Sequence, residues 1–186
     1  MDKKPAILAI VGSLRKDSFN RRLAEITRDA LGDRATLTIL DFADVPLMNQ
    51  DHEFPPPDAV RRVREAVKAA DGIWFFTPEY NHTYSGVLKN LIDWLSRPIS
   101  KTEPQVLGGK PAAISGITPS IAGTIPAQDH LVMLLSYLNM RVMNVPRVSI
   151  PGVFGLLDED GNLALGDAQN FVNEQADAFL AFINRA

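Results

Sequence analysis

The chain alternates short, unbroken apolar runs with stretches in which apolar residues return at helical spacing. An unbroken run suits a strand buried on both faces, and its alternation with amphipathic helices specifies a parallel sheet covered by helices on both sides. Ile7–Val11, Ile73–Phe76 and Ala112–Ile117 are the runs, and Leu37 and Ile39 alternate with Thr36 and Thr38 as in a strand nearer the edge. Leu23, Ile26 and Ala30 predict a first helix. Val60, Val63, Val67 and Ala70 predict a second, after the break at Pro55-Pro56-Pro57 and with Asp58 as its cap. Val87, Leu91 and Leu95 predict a third, ended by Pro98. A long helix is expected over residues 126–140 and a short strand near 141–149. A last helix carries Phe171, Gln175, Ala178 and Phe182, with Val172, Phe179 and Ile183 beside them. The order is βαβαβαβαβα, and residues 152–166 read as a loop excursion with a turn at Asp160-Gly161.

This pattern needs one core, and 186 residues suit a single domain over residues 1–186. Hydrophobic residues make up 46% and charged residues 22%, a globular balance. A net charge of −3 without a Lys/Arg block argues against nucleic acid as the main partner. The same modest charge is unlike the strongly acidic surface of an electron carrier. With no cysteine, disulfides, thiolate chemistry and Cys-based metal sites are excluded. Asp2-Lys3-Lys4 ahead of Ala6–Gly12 has the look of a leader, but the apolar run is short and no small-residue cleavage site follows. A cytoplasmic location is therefore expected, with no membrane partner, because no stretch approaches the roughly 18 apolar residues of a membrane span.

In an open α/β sheet, ligands collect beyond the carboxyl ends of the strands, where strand order reverses. After the first strand come Gly12-Ser13-Leu14-Arg15-Lys16-Asp17-Ser18-Phe19-Asn20, running into a helix. A helix N-terminus with Ser13, Ser18, Asn20 and Arg15 suits a phosphate, and equally a capping loop without a ligand. The stretch has neither the nucleotide P-loop pattern nor the dinucleotide G-x-G-x-x-G. After the third strand come Thr77-Pro78-Glu79-Tyr80-Asn81-His82, whose backbone could hold the polar edge of a planar ring or make an ordinary turn. After the fourth, Ser115-Gly116 would let a ligand approach the backbone, or simply turn the chain. Three such loops at one sheet edge point together to a flat, phosphorylated ligand.

The segments GSLRKDSFN, PEYN and GVLKNLIDWLSRP, in this order and spacing, resemble the NAD(P)H-dependent FMN reductase family, which includes soluble quinone and chromate reductases. The resemblance runs to about Val145. It implies a flavodoxin-like three-layer sandwich, with a five-stranded parallel sheet in the order 2-1-3-4-5 and helices on both faces. It implies FMN as cofactor and NAD(P)H as electron donor. Ser13, Arg15, Ser18 and Asn20 would hold the FMN phosphate, and Pro78, Glu79, Tyr80 and Asn81 the isoalloxazine, with Ser115 and Gly116 beside it. It also implies a homodimer or a homotetramer. The family often continues PEYN with His-Ser-Ile-Pro-Gly, whereas this chain has His82-Thr83-Tyr84-Ser85-Gly86. Losing the proline at position 85 is expected to loosen the turn, and Tyr84 to alter substrate choice. Pro126 stands where a basic residue is common.

The function this implies is passage of electrons from NAD(P)H through the flavin to a small acceptor: a quinone, an azo compound, a metal oxyanion such as chromate, or free flavin. The flavin then carries the chemistry, so no acid–base pair is required, and His82 and Tyr84 are candidate substrate-face residues. The other readings are a non-enzymatic electron carrier or redox-sensing module, and a protein of this fold without a cofactor. His52 and His130 lack a metal-ligand partner at helical spacing, and Asp158-Glu159-Asp160 reads as a solvated turn, so no metal site is expected. Trp94 and the apolar stretch 131–138 are expected to face a second subunit, unless the loops 43–57 and 150–166 fold back over them.

Overall fold

The computed structural model describes residues 4–185; Asp2 and Lys3 of the leader-like stretch, and Ala186, lie outside them. Strands β1 (Ala6–Val11), β2 (Thr36–Ile39), β3 (Gly72–Phe76) and β4 (Pro111–Ile117) pair in parallel in the order β2-β1-β3-β4. The predicted fifth strand is two short pieces, β5 (Arg141–Val142) and β6 (Val148–Ile150), each paired in parallel with one end of β4. Between them the chain leaves the ladder around Pro146, which has no N–H to donate. The helices are α1 (Phe19–Leu31), α2 (Asp58–Ala69), α3 (Gly86–Leu95), α4 (Ile125–Tyr137) and α5 (Ala168–Ile183). This is the three-layer sandwich, with sheet order β2-β1-β3-β4-β5, that the resemblance implied.

Strand residues alternate between two cores, as a two-residue period requires. Ile7, Ala9, Val11, Trp74 and Phe76 pack under α1 and α5, while Leu8, Ile10, Ile73 and Phe75 pack under α2, α3 and α4. Each large side chain buried in this way contributes roughly 1.5–3 kcal/mol. On α5 the buried stripe is Val172, Gln175, Ala176, Phe179 and Ile183, and Phe171 is turned outward at 60% exposure. Asp58 occupies the first turn of α2 and makes no cap hydrogen bond; Pro57 precedes it, and Asp58 pairs with Arg61 instead.

The 43–57 loop corrects one expectation. Trp94 is fully buried rather than presented to another subunit. Its Nε1 donates to the carbonyl of Pro46 (2.9 Å), which also accepts from Asn90 Nδ2 (2.9 Å), while Asn90 Oδ1 accepts from Met48 N (2.7 Å). Buried Glu53 closes the far end of the loop by accepting from Arg97 Nε and Nη2 at 2.9 and 3.1 Å. That fork holds the Arg97 guanidinium above its ordinary range. The loop therefore folds back over α3 and supplies the cover assigned to a partner. No helix among the described residues is long and apolar enough to cross a membrane.

Candidate active site

The loops after β1, β3 and β4 meet at the carboxyl edge of the sheet. Gly12 N donates to Phe76 O (2.8 Å) and Thr77 N to Ser115 O (2.9 Å), so the three chain segments stay in register past their strands. Gly12 keeps this junction close, since a Cβ would stand 3.0 Å from Pro78 Cδ and 3.3 Å from Ser85 Oγ and would push both back by a few tenths of an ångström. Ser18 then caps α1, accepting from Arg21 N through its hydroxyl (3.3 Å). Among the described residues the backbone N–H groups of Lys16, Asp17, Phe19 and Asn20 find no acceptor, and Ser18 N–H closes only a loose turn over Lys16-Asp17. A run of unpaired N–H groups at the positive end of a helix is an anion cradle. Arg15 is exposed beside it, and Ser13 Oγ accepts only from Arg15 N (3.4 Å). A cavity of about 320 Å3 opens next to the loop, with Arg15, Lys16 and Arg21 on one side and Leu40, Asp41 and Phe42 on the other.

The loop after β3 is tighter than its sequence suggests. Pro78 is buried, and Tyr80 and Thr83 exchange both backbone hydrogen bonds (2.9 and 3.1 Å). Asn81 and His82 between them have φ of 52° and 61°, the paired left-handed geometry of a hairpin turn. Asn accepts this conformation readily; His82 is held there by the two bonds around it. The Glu79 side chain is only 8% exposed, its Oε2 has no hydrogen-bond partner, and its Oε1 lies 3.7 Å from His82 Nδ1. The missing proline at 85 does not loosen the turn. Ser85 donates to Gly12 O (2.6 Å) and accepts from Leu88 N (3.3 Å), tying the loop to β1 and capping α3 together. A serine just before a helical apolar period is a readable cap, but its bond to Gly12 joins residues far apart in sequence.

Two predicted cofactor residues are placed inward. Asn20 is buried, with Nδ2 donating to Ile117 O (3.0 Å) and Oδ1 accepting from Ile117 N (3.1 Å). It clamps α1 to the end of β4 instead of reaching an open cleft. Ser115 is also buried: its hydroxyl accepts from Trp74 Nε1 (2.8 Å) and donates to Gln175 Oε1 (2.6 Å). Gly116 is a glycine for packing reasons, since a Cβ would lie 2.5 Å from Thr77 O and 2.2 Å from Thr124 Oγ1. The sequence places Gln175 on the last helix and Thr77 in the loop after the third strand, but their roles, and that of Thr124, show only through long-range contacts. His52 and His130 are exposed, and Asp158 closes its own turn by accepting from Asp160 N (3.0 Å) and Asn162 N (2.8 Å). Those bonds lower the pKa of Asp158, led by the one from Asn162 N.

The pattern of the NADPH-dependent FMN reductase family matches residues 5–155, which include all three loops. The chain belongs to this family. It is 36% identical over 177 residues to a 2-hydroxy-1,4-benzoquinone reductase from Burkholderia, covering 95% of both chains. It is 37% identical over 180 residues to an NAD(P)H-dependent FMN reductase from Pseudomonas aeruginosa, covering 96% of this chain and 95% of that one. Its fold superposes on the flavoenzyme NAD(P)H:(acceptor) oxidoreductase FerB from Paracoccus denitrificans with a TM-score of 0.87. The identity there is 31%, over 97% of this chain and 98% of the other. The protein is accordingly an FMN-dependent oxidoreductase that uses NAD(P)H.

The site fits the family's cofactor on two observations made within this chain. The unpaired N–H groups of Lys16, Asp17, Phe19 and Asn20 can donate to a phosphate without displacing an internal bond. In the loop after β3, the buried Glu79 carboxylate keeps one oxygen without a donor, as a wall for a ligand with N–H groups would.

Proposed function

We propose that this FMN reductase family member reduces small quinones with electrons from NAD(P)H. The observation that carries the choice of acceptor is the surface beside the 80–83 turn. There Tyr84, Met133, Leu134 and Tyr137 line a cavity of about 330 Å3 that contains no Lys or Arg. An aromatic, largely apolar recess, with Thr83 and His130 as its polar lining, favours a flat neutral acceptor over a metal oxyanion. The quinone-reducing relative from Burkholderia supports the same reading.

When bound, FMN supplies the two-electron chemistry that links the NAD(P)H donor to the acceptor. The chain's own residues hold and orient. The N–H groups of Lys16–Asn20 with Arg15, Ser13 and Ser18 hold the phosphate. The backbone from Pro78 to Asn81 meets the polar edge of the ring, together with Glu79. Ser115 and Asn20 act one step back, fixing the end of β4 and with it Gly116. Tyr84 packs against the acceptor, and His82, 86% exposed at the turn, can carry a proton to it. Met133 and Tyr137 of α4, 68% and 86% exposed, are where we place the contact with a second copy of the chain, which would bring the recess to a subunit boundary.

The test is NAD(P)H oxidation by the FMN-loaded protein with benzoquinones, chromate and free FMN as competing acceptors. Benzoquinones should give the highest kcat/KM, and Tyr84→Ile should reorder the quinones while leaving the flavin spectrum unchanged. Faster turnover with chromate or free FMN would overturn the acceptor assignment, and no turnover with any acceptor would favour an electron carrier.

A further inference from the structure

The loop after β3 carries a negative charge that the fold does little to offset. The Glu79 side chain is 8% exposed, and its Oε2 is shielded from solvent without a hydrogen-bond donor. Among the described residues its one ion-pair partner is His82, whose Nδ1 stands 3.7 Å from Oε1 on a side chain 86% exposed. A contact of that length is no hydrogen bond, and solvent screens a group so open. Neither 77–85 nor 115–118 contains a Lys or Arg, so these two segments bring no permanent cation to the same end of the cleft.

The backbone on both sides of Glu79 is fixed. Pro78 is buried and its carbonyl accepts from Thr77 Oγ1 (2.8 Å). Tyr80 and Thr83 exchange both backbone bonds (2.9 and 3.1 Å), and Ser85 donates to Gly12 O (2.6 Å). A charge held in this way, out of water, acts strongly on any charge that develops beside it.

A flavin ring changes charge when it is reduced. It takes a hydride, two electrons with one proton, from NAD(P)H and gains one negative charge, which gathers on its polar edge. It gives the hydride on to a quinone, which takes one more proton from water to become a hydroquinone, and the ring is neutral again. We propose that Glu79 makes this site prefer the oxidised ring. The inference rests on the reading that the 77–82 loop meets the polar edge. Beside that edge the carboxylate repels the reduced form and leaves the oxidised form bound, which makes bound FMN a stronger reductant than free FMN. A Lys or Arg there would do the opposite and retain the electrons.

The test is anaerobic titration of the protein with oxidised and with reduced FMN in mildly alkaline buffer, with the midpoint potential as an independent readout. The parent should bind reduced FMN about tenfold more weakly than oxidised FMN, which sets the bound potential about 30 mV below that of free FMN. Glu79→Gln should bring the two affinities together and raise the potential by the same amount. His82→Lys puts a permanent cation at the exposed position facing Oε1 and should narrow the gap with Glu79 intact. Arg15→Ala should weaken both forms alike, because the phosphate does not change with the ring. Equal affinity of the parent for the two forms, or a gap that Glu79→Gln leaves in place, would overturn the proposal. If Glu79→Gln shifts both affinities by one factor, the loop still meets the ring and only the charge effect is lost. If it shifts neither, the placement of the ring at this loop falls as well.

Discussion

At the scale of single residues, the site divides into groups that face a ligand and groups that hold those in place. Arg15 is of the first kind. Arg15→Ala should weaken FMN binding about ten- to a hundredfold, because one charge-assisted hydrogen bond is worth roughly 1.5–3 kcal/mol. The measurement is paired titration with FMN and riboflavin: the parent should strongly prefer FMN, and the variant should narrow that gap. Equal parent affinities would remove the phosphate from residues 12–20. Asn20 is of the second kind. Asn20→Ala leaves both Ile117 N–H and C=O without their partner, at about 1–3 kcal/mol for each orphaned group, and should lower the urea midpoint in protein free of FMN. An unchanged midpoint would return Asn20 to the ligand. The sequence shows that Ser13, Ser18, Asn20 and Ser115 are polar at strand and helix ends, and no more. Asn20 and Ser115 turn inward because Ile117, Trp74 and Gln175 offer them bonds across the fold, and such pairings leave no mark in local spacing.

At the scale of elements, periodicity carried most of the information. The runs at 7–11, 73–76 and 112–117 are strands because residues apolar on both faces have only a sheet interior to occupy. The fifth strand was less legible: β5 and β6 total five residues, and only their register with β4 shows that they do the work of one strand. The 43–57 loop was illegible for a different reason. It has no period, so its packing over Trp94 through Pro46 and its anchor at Glu53 could not be read locally. Trp94→Phe keeps the buried ring but removes the donor to Pro46. It should cost about 1 kcal/mol and raise amide exchange at Met48, whose N–H depends on the same loop conformation. Unchanged exchange at Met48 would mean that Asn90 alone holds the loop.

At the scale of the molecule, the fold gathers three loops from distant parts of the chain at one sheet edge and places an apolar recess next to them. Several large apolar side chains stay exposed, among them Leu47 on the loop over α3, Phe171 on α5, and Met133 and Tyr137 on α4 beside the recess, where the proposal places a second copy. Tyr137→Glu should lower the mass seen by light scattering, with the FMN phosphate contacts intact; a parent protein already monomeric would contradict this placement. The central claim is that FMN held by these loops takes electrons from NAD(P)H and delivers them to a quinone. Its most direct test is the visible absorbance of the FMN-loaded protein without oxygen, on adding NAD(P)H and then one equivalent of benzoquinone. The absorbance should fall with the first addition and return with the second. An absorbance that NAD(P)H leaves unchanged, or that stays low after the quinone, would contradict the account.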